Sequence, residues 1–242
     1  MNYLNQIGKK QLLIATTTGL LALPLIFYSW LHLLRPPRIS QEKALFQGIV
    51  YRREVSPWDY YPKTGNRVNV VGQAIANSSS YSQHEPDWPV LCFNAKNRPQ
   101  IETGGKCPQG TVQAVAGNTL LIEGGNPVGL NSGSGKGDSP KAYARVAVAI
   151  DKEGKKLWLV VIDGKQPLYS EGVTIAELTK IISDLGAYWA LNLDGGGSTT
   201  LVTATPRQPI VLNAPIHTKL PMRQRPVANH LGFYALPEKP TF

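Results

Sequence analysis

The residues best suited to chemistry in this chain gather in one segment, Asp194-Gly-Gly-Gly-Ser-Thr-Thr200. It follows the apolar run 189–193, so the Asp194 carboxylate is expected to emerge at a strand end, partly shielded from water. Three consecutive glycines are entropically costly to order. They let the backbone approach a ligand closely, and successive N–H groups can form an anion nest. Gly195, Gly196, Gly197 and Ser198 are therefore candidate ligand positions, with Thr199 and Thr200 adding hydroxyls. A carboxylate beside a phosphate-sized nest suits acid–base or nucleophilic work on a phosphorylated or sugar substrate. The plainer alternative is a tight Asp-Gly turn between strands.

Asp163 repeats the setting, in Val160-Val-Ile-Asp163-Gly164-Lys165-Gln166. Two such aspartates could supply the carboxylate pair that glycoside hydrolysis normally uses. An aspartic-protease pair is excluded, because that chemistry needs Asp-Thr/Ser-Gly and here Gly follows each Asp directly. Alone, Asp163 reads as a hairpin or turn residue. Arg145 interrupts the apolar run 144–150. It either points to solvent by strand alternation or lines a polar cleft. Arg225 stands before the last apolar run, 231–236, and is of a type suited to bidentate phosphate binding. A surface Arg at a strand start is the plainer reading. His217 and His230 have no motif-level partner, so a Ser-His-Asp triad is unsupported.

These residues need strands and turns to position them. The runs 144–150 and 156–162, separated by Asp151-Lys-Glu-Gly-Lys155, predict a β-hairpin. Thr174-Ile-Ala-Glu177 is a capping box. Ile175, Leu178, Ile181, Ile182 and Leu185 then mark one helical face, and Gly186 supplies the stop. A first strand is expected over 44–51, and Gly117-Asn118 breaks the run 111–122 like a hairpin turn. Segments 56–66 and 77–111 read as loops with short strands at best, and 124–140 as a long loop bordering a site or a plain linker. A phosphate-loop reading of Gly135-Lys136 fails, because Leu130 and Gly137 stand where Gly and Ser/Thr are required. The fold class expected is α+β, a single mixed, mainly antiparallel sheet with few helices.

The composition agrees. The chain has 242 residues, 42% hydrophobic and 17% charged, which excludes a disordered polyelectrolyte. Its 23 Gly and 19 Pro favour many short strands over a helical bundle. The net charge is +9, but Lys9, Lys10, Arg35 and Arg38 carry four of it within 38 residues that lack any acid. The remainder is too mildly basic for a nucleic-acid partner, and no Lys/Arg stripe interleaved with aromatics supports one.

Residues 11–34 contain no formal charge. As a helix, 24 residues would reach about 36 Å, enough to cross a hydrocarbon core of about 30 Å with tilt. Tyr28, Trp30 and His32 sit near its far end, where amphipathic rings favour an interface. A cleaved signal peptide is the rival, but the run is long and no small-x-small site follows Tyr28. The expected organisation is a basic N-terminus (1–10), a single transmembrane anchor (11–34), a stiff Pro-rich linker (35–43) and one domain (44–238). Two basic residues flank each side of the anchor, so the positive-inside count is nearly tied. Cys92 and Cys107, the two cysteines of the chain, fit a disulfide and tip the expectation toward a domain outside the cytoplasm. They could also be unrelated thiols, and no Cys/His cluster suggests a metal site.

Taken together, the blocks between about 111 and 235 resemble the phosphodiester glycosidase family. The carrying residues are Ala190-Leu-Asn-Leu-Asp-Gly-Gly-Gly-Ser-Thr199, Val161-Ile-Asp-Gly-Lys-Gln166, Gly172-Val-Thr with the helix that follows, Arg225-Pro-Val-Ala-Asn229, and Ala114-Val-Ala-Gly-Asn-Thr-Leu-Leu121. Arg145 falls where the family's strand arginine is expected. The chain departs at Lys165, where Arg is usual, and at Asn77-Ser78-Ser79-Ser80-Tyr81, where serines replace glycines. The resemblance implies hydrolysis of a sugar-1-phosphodiester at its glycosidic bond. It implies Asp194 and Asp163 as catalytic residues, with Asn77, Arg145, Gln166, Gly195 to Ser198, Arg225 and Asn229 binding a phosphorylated glycan. No cofactor is expected, and two carboxylates alone are poor grounds for a divalent cation. The alternative is a glycan-binding envelope protein that keeps the cleft without the chemistry.

Overall fold

The computed structural model describes residues 22–35, 49–51, 70–128, 141–205 and 208–235, the backbone alone for 49–51 and 235. Residues 22–33 form helix α1. The strands follow as β1 (Ile49–Tyr51), β2 (Ala74–Ala76), β3 (Ser79–Ser82), β4 (Val90–Asn94), β5 (Pro99–Glu102) and β6 (Thr111–Ala116). Then come β7 (Thr119–Glu123), β8 (Asn126–Pro127), β9 (Arg145–Ile150) and β10 (Leu157–Ile162). Helix α2 (Ile175–Asp184) leads to β11 (Trp189–Asn192) and a 3-10 turn at Gly196–Ser198. The chain closes with β12 (Val202–Thr203), β13 (Ile210–Val211), β14 (Ile216–His217), β15 (Leu220–Pro221) and β16 (Phe233–Ala235).

The α+β class holds, with antiparallel pairing throughout the described strands. The single sheet expected from sequence is instead two five-stranded sheets, ordered β3-β2-β6-β4-β5 and β10-β9-β11-β7-β8, with three two-stranded ribbons. The division falls at Gly117-Asn118, which is no hairpin turn. Gly117 N–H donates to Pro89 O at 2.8 Å while Asn118 N–H donates to Asn192 O at 3.1 Å, so the chain steps from one sheet to the other. Gly is required there because a Cβ on Gly117 would lie 2.3 Å from Asn192 O.

Side-chain alternation along β9 separates two cores. Val148 and Ile150 join Leu91, Phe93, Ile101 and Leu191 between the sheets, where Phe93 meets Phe233 edge-on at 6.2 Å. Ala147 and Ala149 face the other way, into a cluster with Ile175, Leu178 and Ile182 of α2. Ile181, expected on that face, is exposed, and Thr179 is buried in its stead with its hydroxyl on Ile175 O. The capping box forms as read from the sequence, with Glu177 N–H on Thr174 Oγ1 and Thr174 N–H on Glu177 Oε2. The first sheet's outer face carries the Cys92–Cys107 disulfide, Cα–Cα 5.8 Å.

The segment expected to be mostly loop, 77–111, contains the fully buried run of β4, because Val90-Leu-Cys-Phe93 is apolar on both faces of a covered sheet. Of the first strand, the described part, β1, pairs with β16. Residues 44–48, the linker after Arg35, and 129–140 of the long loop lie outside the described residues, as do 11–21 of the expected anchor. Among the described residues no helix is long and apolar enough to cross a membrane.

Candidate active site

Strands β10 and β11 flank β9 and both run antiparallel to it, so both end at the same edge of the sheet, with β9 between them. Asp163 and Asp194 leave that edge, two strand spacings apart, about 10 Å between backbones. The glycine after each aspartate has a common cause. A Cβ on Gly164 would lie 2.3 Å from Ala144 N, and one on Gly195 would lie 2.6 Å from Ala144 O. Both Asp-Gly pairs are thus pressed against the entry to β9, one from each side.

Asp194 is the open one of the two, its side chain 72% exposed. Its Oδ2 accepts from Ser198 Oγ at 2.6 Å and from Arg225 Nη2 at 2.5 Å. Arg225 Nη2 also contacts Ser198 Oγ, closing a three-membered cluster. His217 borders it: a Cβ on Gly197 would meet Arg225 Cδ at 3.2 Å and His217 Nδ1 at 3.3 Å. The expected amide nest differs. Gly195 N–H caps Asp194 Oδ1, Gly196 N–H donates to Ala144 O, and the Ser198 and Thr199 amides close the 3-10 turn on Gly195 and Gly196. These four amides hold the turn itself, which leaves neighbouring side chains as candidate anion donors.

Arg145 supplies one. The register Ala147↔Asn192, extended by the Leu193 N–H bond to Val146 O, brings Arg145 beside Asp194 on the α2 face. The residue is 9% exposed. Its Nε donates to Val173 O at 3.2 Å, its guanidinium carbon stands 5.4 Å from the Tyr143 ring, and its buried Nη2 has no partner among the described residues. Burial lowers its pKa, opposed by Tyr143, and arginine keeps its charge regardless. Lys165 Nζ also lies over Tyr143, at 4.1 Å.

Asp163 is engaged differently. Its Oδ1 accepts from Asn213 Nδ2 at 2.9 Å, and both of its oxygens accept from Ala214 N–H at 3.0 Å. Gln166, 1% exposed, reaches the same segment through Nε2 to Ala214 O at 2.7 Å. Asn229 is half-buried and makes no described hydrogen bond to either aspartate.

Asn77 is not brought to this corner. It and Ser78 take φ of 50° and 64°, the left-handed pair that a two-residue hairpin turn between β2 and β3 demands. Asn77 Oδ1 accepts from Gln113 Nε2, and Ser78 N–H donates to Val112 O, near the start of β6. The sheet corner at Gly117 is five residues further on, about 17 Å along the strand. The departure Ser78 therefore concerns a turn, which Ser fills at a cost in strain. Among the described residues no cluster of His, Cys, Asp or Glu is arranged to hold a metal ion.

Sequence reasoning missed Asn213, which lies in Leu212-Asn213-Ala214-Pro215 with no motif around it. It missed Tyr143 too, although an aromatic two residues before Arg145 shares its strand face by period-2 alternation.

The family model for phosphodiester glycosidases matches residues 48–234, more than half of the chain. The chain belongs to the phosphodiester glycosidase family. Similar solved structures include the zebrafish N-acetylglucosamine-1-phosphodiester α-N-acetylglucosaminidase catalytic domain auto-inhibited by its pro-peptide. It is 18% identical, with 63% of this chain and 61% of that one covered and a TM-score of 0.43. A hypothetical protein from Synechocystis is 15% identical, with 69% and 49% covered and a TM-score of 0.43. The chain thus spans under two thirds of each neighbour's length. No curated protein matches it.

Proposed function

We propose that this protein hydrolyses the glycosidic bond of a sugar-1-phosphodiester, of the N-acetylglucosamine-1-phosphodiester kind, in envelope or extracellular glycans. The observation that carries the proposal is the Asp194–Ser198–Arg225 cluster, open to solvent at the end of β11, next to the strand that carries Arg145 with its unpartnered Nη2. In this reading Arg145 and Arg225 hold the phosphate and Asp194 acts at the anomeric carbon, as acid–base or nucleophile. Arginine suits the first task because its planar fork offers five donors, of which Arg225 commits Nη2 to Asp194 and Ser198.

The protein acts from a single-pass anchor over 11–34, with the domain outside the cytoplasm. Supporting this are the uncharged 24-residue run and the exposure of Leu23, Leu25, Ile26, Phe27, Trp30 and Leu33 on the described part of α1. The Cys92–Cys107 disulfide favours an oxidising compartment.

A second reading, glycan binding without turnover, is favoured by one observation: of the two carboxylates, Asp163 is already occupied by Asn213 and Ala214. The test uses the full chain in detergent with a panel of sugar-1-phosphodiesters, following release of reducing sugar beside Asp194→Asn. Release that disappears in the variant supports the hydrolase. Saturable binding without release supports the second reading, and full activity in Asp194→Asn removes Asp194 from the chemistry.

A further inference from the structure

We propose that Asn213 and Asp163 form a bracket that holds the Asp194–Thr199 turn in register with the end of β10. Asp163 is then a positioning residue and not a second catalytic carboxylate. The kinetic part of this inference rests on the proposed hydrolase; the structural part does not.

The bracket is built from one buried carboxamide. Asn213 is 6% exposed, and its Nδ2 donates to Asp163 Oδ1 at 2.9 Å and to Thr199 O at 3.0 Å. Its Oδ1 accepts from Leu201 N–H at 2.8 Å. One side chain therefore joins the end of β10, the end of the glycine turn and the segment leading to β12. Leu212 N–H adds a backbone bond to Leu201 O at 2.8 Å. Asp163 meets the same segment again at Ala214 N–H, while its own carbonyl accepts from Ser170 Oγ at 2.6 Å.

The residue types follow from the donor and acceptor count. Position 213 needs two N–H donors and one acceptor on a short side chain, which Asn supplies and Asp does not. Position 163 receives N–H groups on both oxygens, which an ionised carboxylate accepts without conflict. These three bonds fix the half-buried carboxylate on the 213–214 segment, which is what a positioning role requires. The turn it steadies is the one whose geometry matters: Ser198, the neighbour of Thr199, donates to Asp194 Oδ2. Displacing the Thr199 carbonyl moves Ser198 relative to Asp194.

The test compares Asp163→Asn and Asn213→Ala in the full chain in detergent, reading amide hydrogen exchange by residue. Exchange at Gly196, Ser198 and Leu201 is expected to rise about tenfold or more in both variants while the amides of α2 stay protected. If Asn213→Ala fails to fold, the milder Asp163→Asn carries the comparison alone. With an active substrate in hand, Asp163→Asn should lower kcat about tenfold with KM nearly unchanged, and adding it to Asn213→Ala should cost little more. Unchanged exchange at the turn overturns the bracket. So does an Asp163→Asn variant as inactive as Asp194→Asn with its turn still protected. Should the wild type turn over no phosphodiester, the function proposed above fails and the exchange result still decides the bracket.

Discussion

Asp163 and Asp194 begin from nearly the same local arrangement. Each follows an apolar strand that borders β9, each is followed by a glycine forced by the closeness of Ala144, and both leave the sheet at the same edge. They diverge because of what the rest of the chain delivers to them. At Asp163 the 213–214 segment arrives with N–H donors and covers both carboxylate oxygens. At Asp194 a long, half-exposed arginine arrives and leaves the carboxylate open to solvent. An exposed ion pair contributes little to stability, about 0 to 1 kcal/mol, whereas a buried, fully hydrogen-bonded polar group is expensive to disrupt. The first corner is therefore suited to holding shape and the second to meeting a ligand.

That contrast can be broken by experiment. The largest effect is expected at the open corner: Asp194→Asn should reduce sugar release about 10³-fold, within the range for a general acid or base, with an unchanged melting curve. A matched loss of stability would mean that Asp194, too, is structural. At the closed corner Asn213→Ala should lower unfolding free energy by about 2–3 kcal/mol in urea titrations, since it orphans the Leu201 amide and one side of Asp163. Arg225→Ala should stay below about 1 kcal/mol in the same assay, and a larger effect there than at Asn213 would reverse the contrast.

Next come the glycines. Gly195→Ala places a Cβ 2.6 Å from Ala144 O, and should cost about 1–3 kcal/mol through overpacking, readable as a lowered denaturation midpoint. Its backbone φ of −125° suits any residue, so the cost is steric alone. A local effect is expected at α2, away from both aspartates, where Thr174→Ala should lose about 1 kcal/mol with its N-cap. The cap has a pH signature. Hydrogen bonds from the Thr174 backbone and hydroxyl hold the Glu177 carboxyl below its usual range. Its contribution is complete above the unfolded carboxyl's titration and fades as pH falls through the lowered folded value. The stability gap between wild type and Glu177→Gln should accordingly close on acidification, followed by denaturant midpoints across the acid range.

What could be read in advance was local. Thr174 and Glu177 are three residues apart, and their capping box needs nothing beyond the first helical turn. The β9–β10 hairpin formed as its two apolar runs and polar connection predict, and Asp151 Oδ1 locks the connection by accepting from the Lys155 and Lys156 amides. The disulfide was legible because the chain has two cysteines to pair. By itself, then, the sequence determined that an aspartate followed by glycine ends each of two apolar strands, that a capped helix stands between them, and which family the chain belongs to. Local hydrogen bonds and side-chain periodicity decide such matters within a few residues.

Tertiary structure alone decided how the two aspartates differ. Arg225 reaches Asp194 across 31 positions and Asn213 reaches Asp163 across 50. The split into two sheets at Gly117 and the distance of Asn77 from the site are likewise products of strand order. Strand order is set when hydrophobic faces find one another across the whole domain, and the partner a polar side chain meets at a strand end follows from that packing and from no pattern in its neighbours.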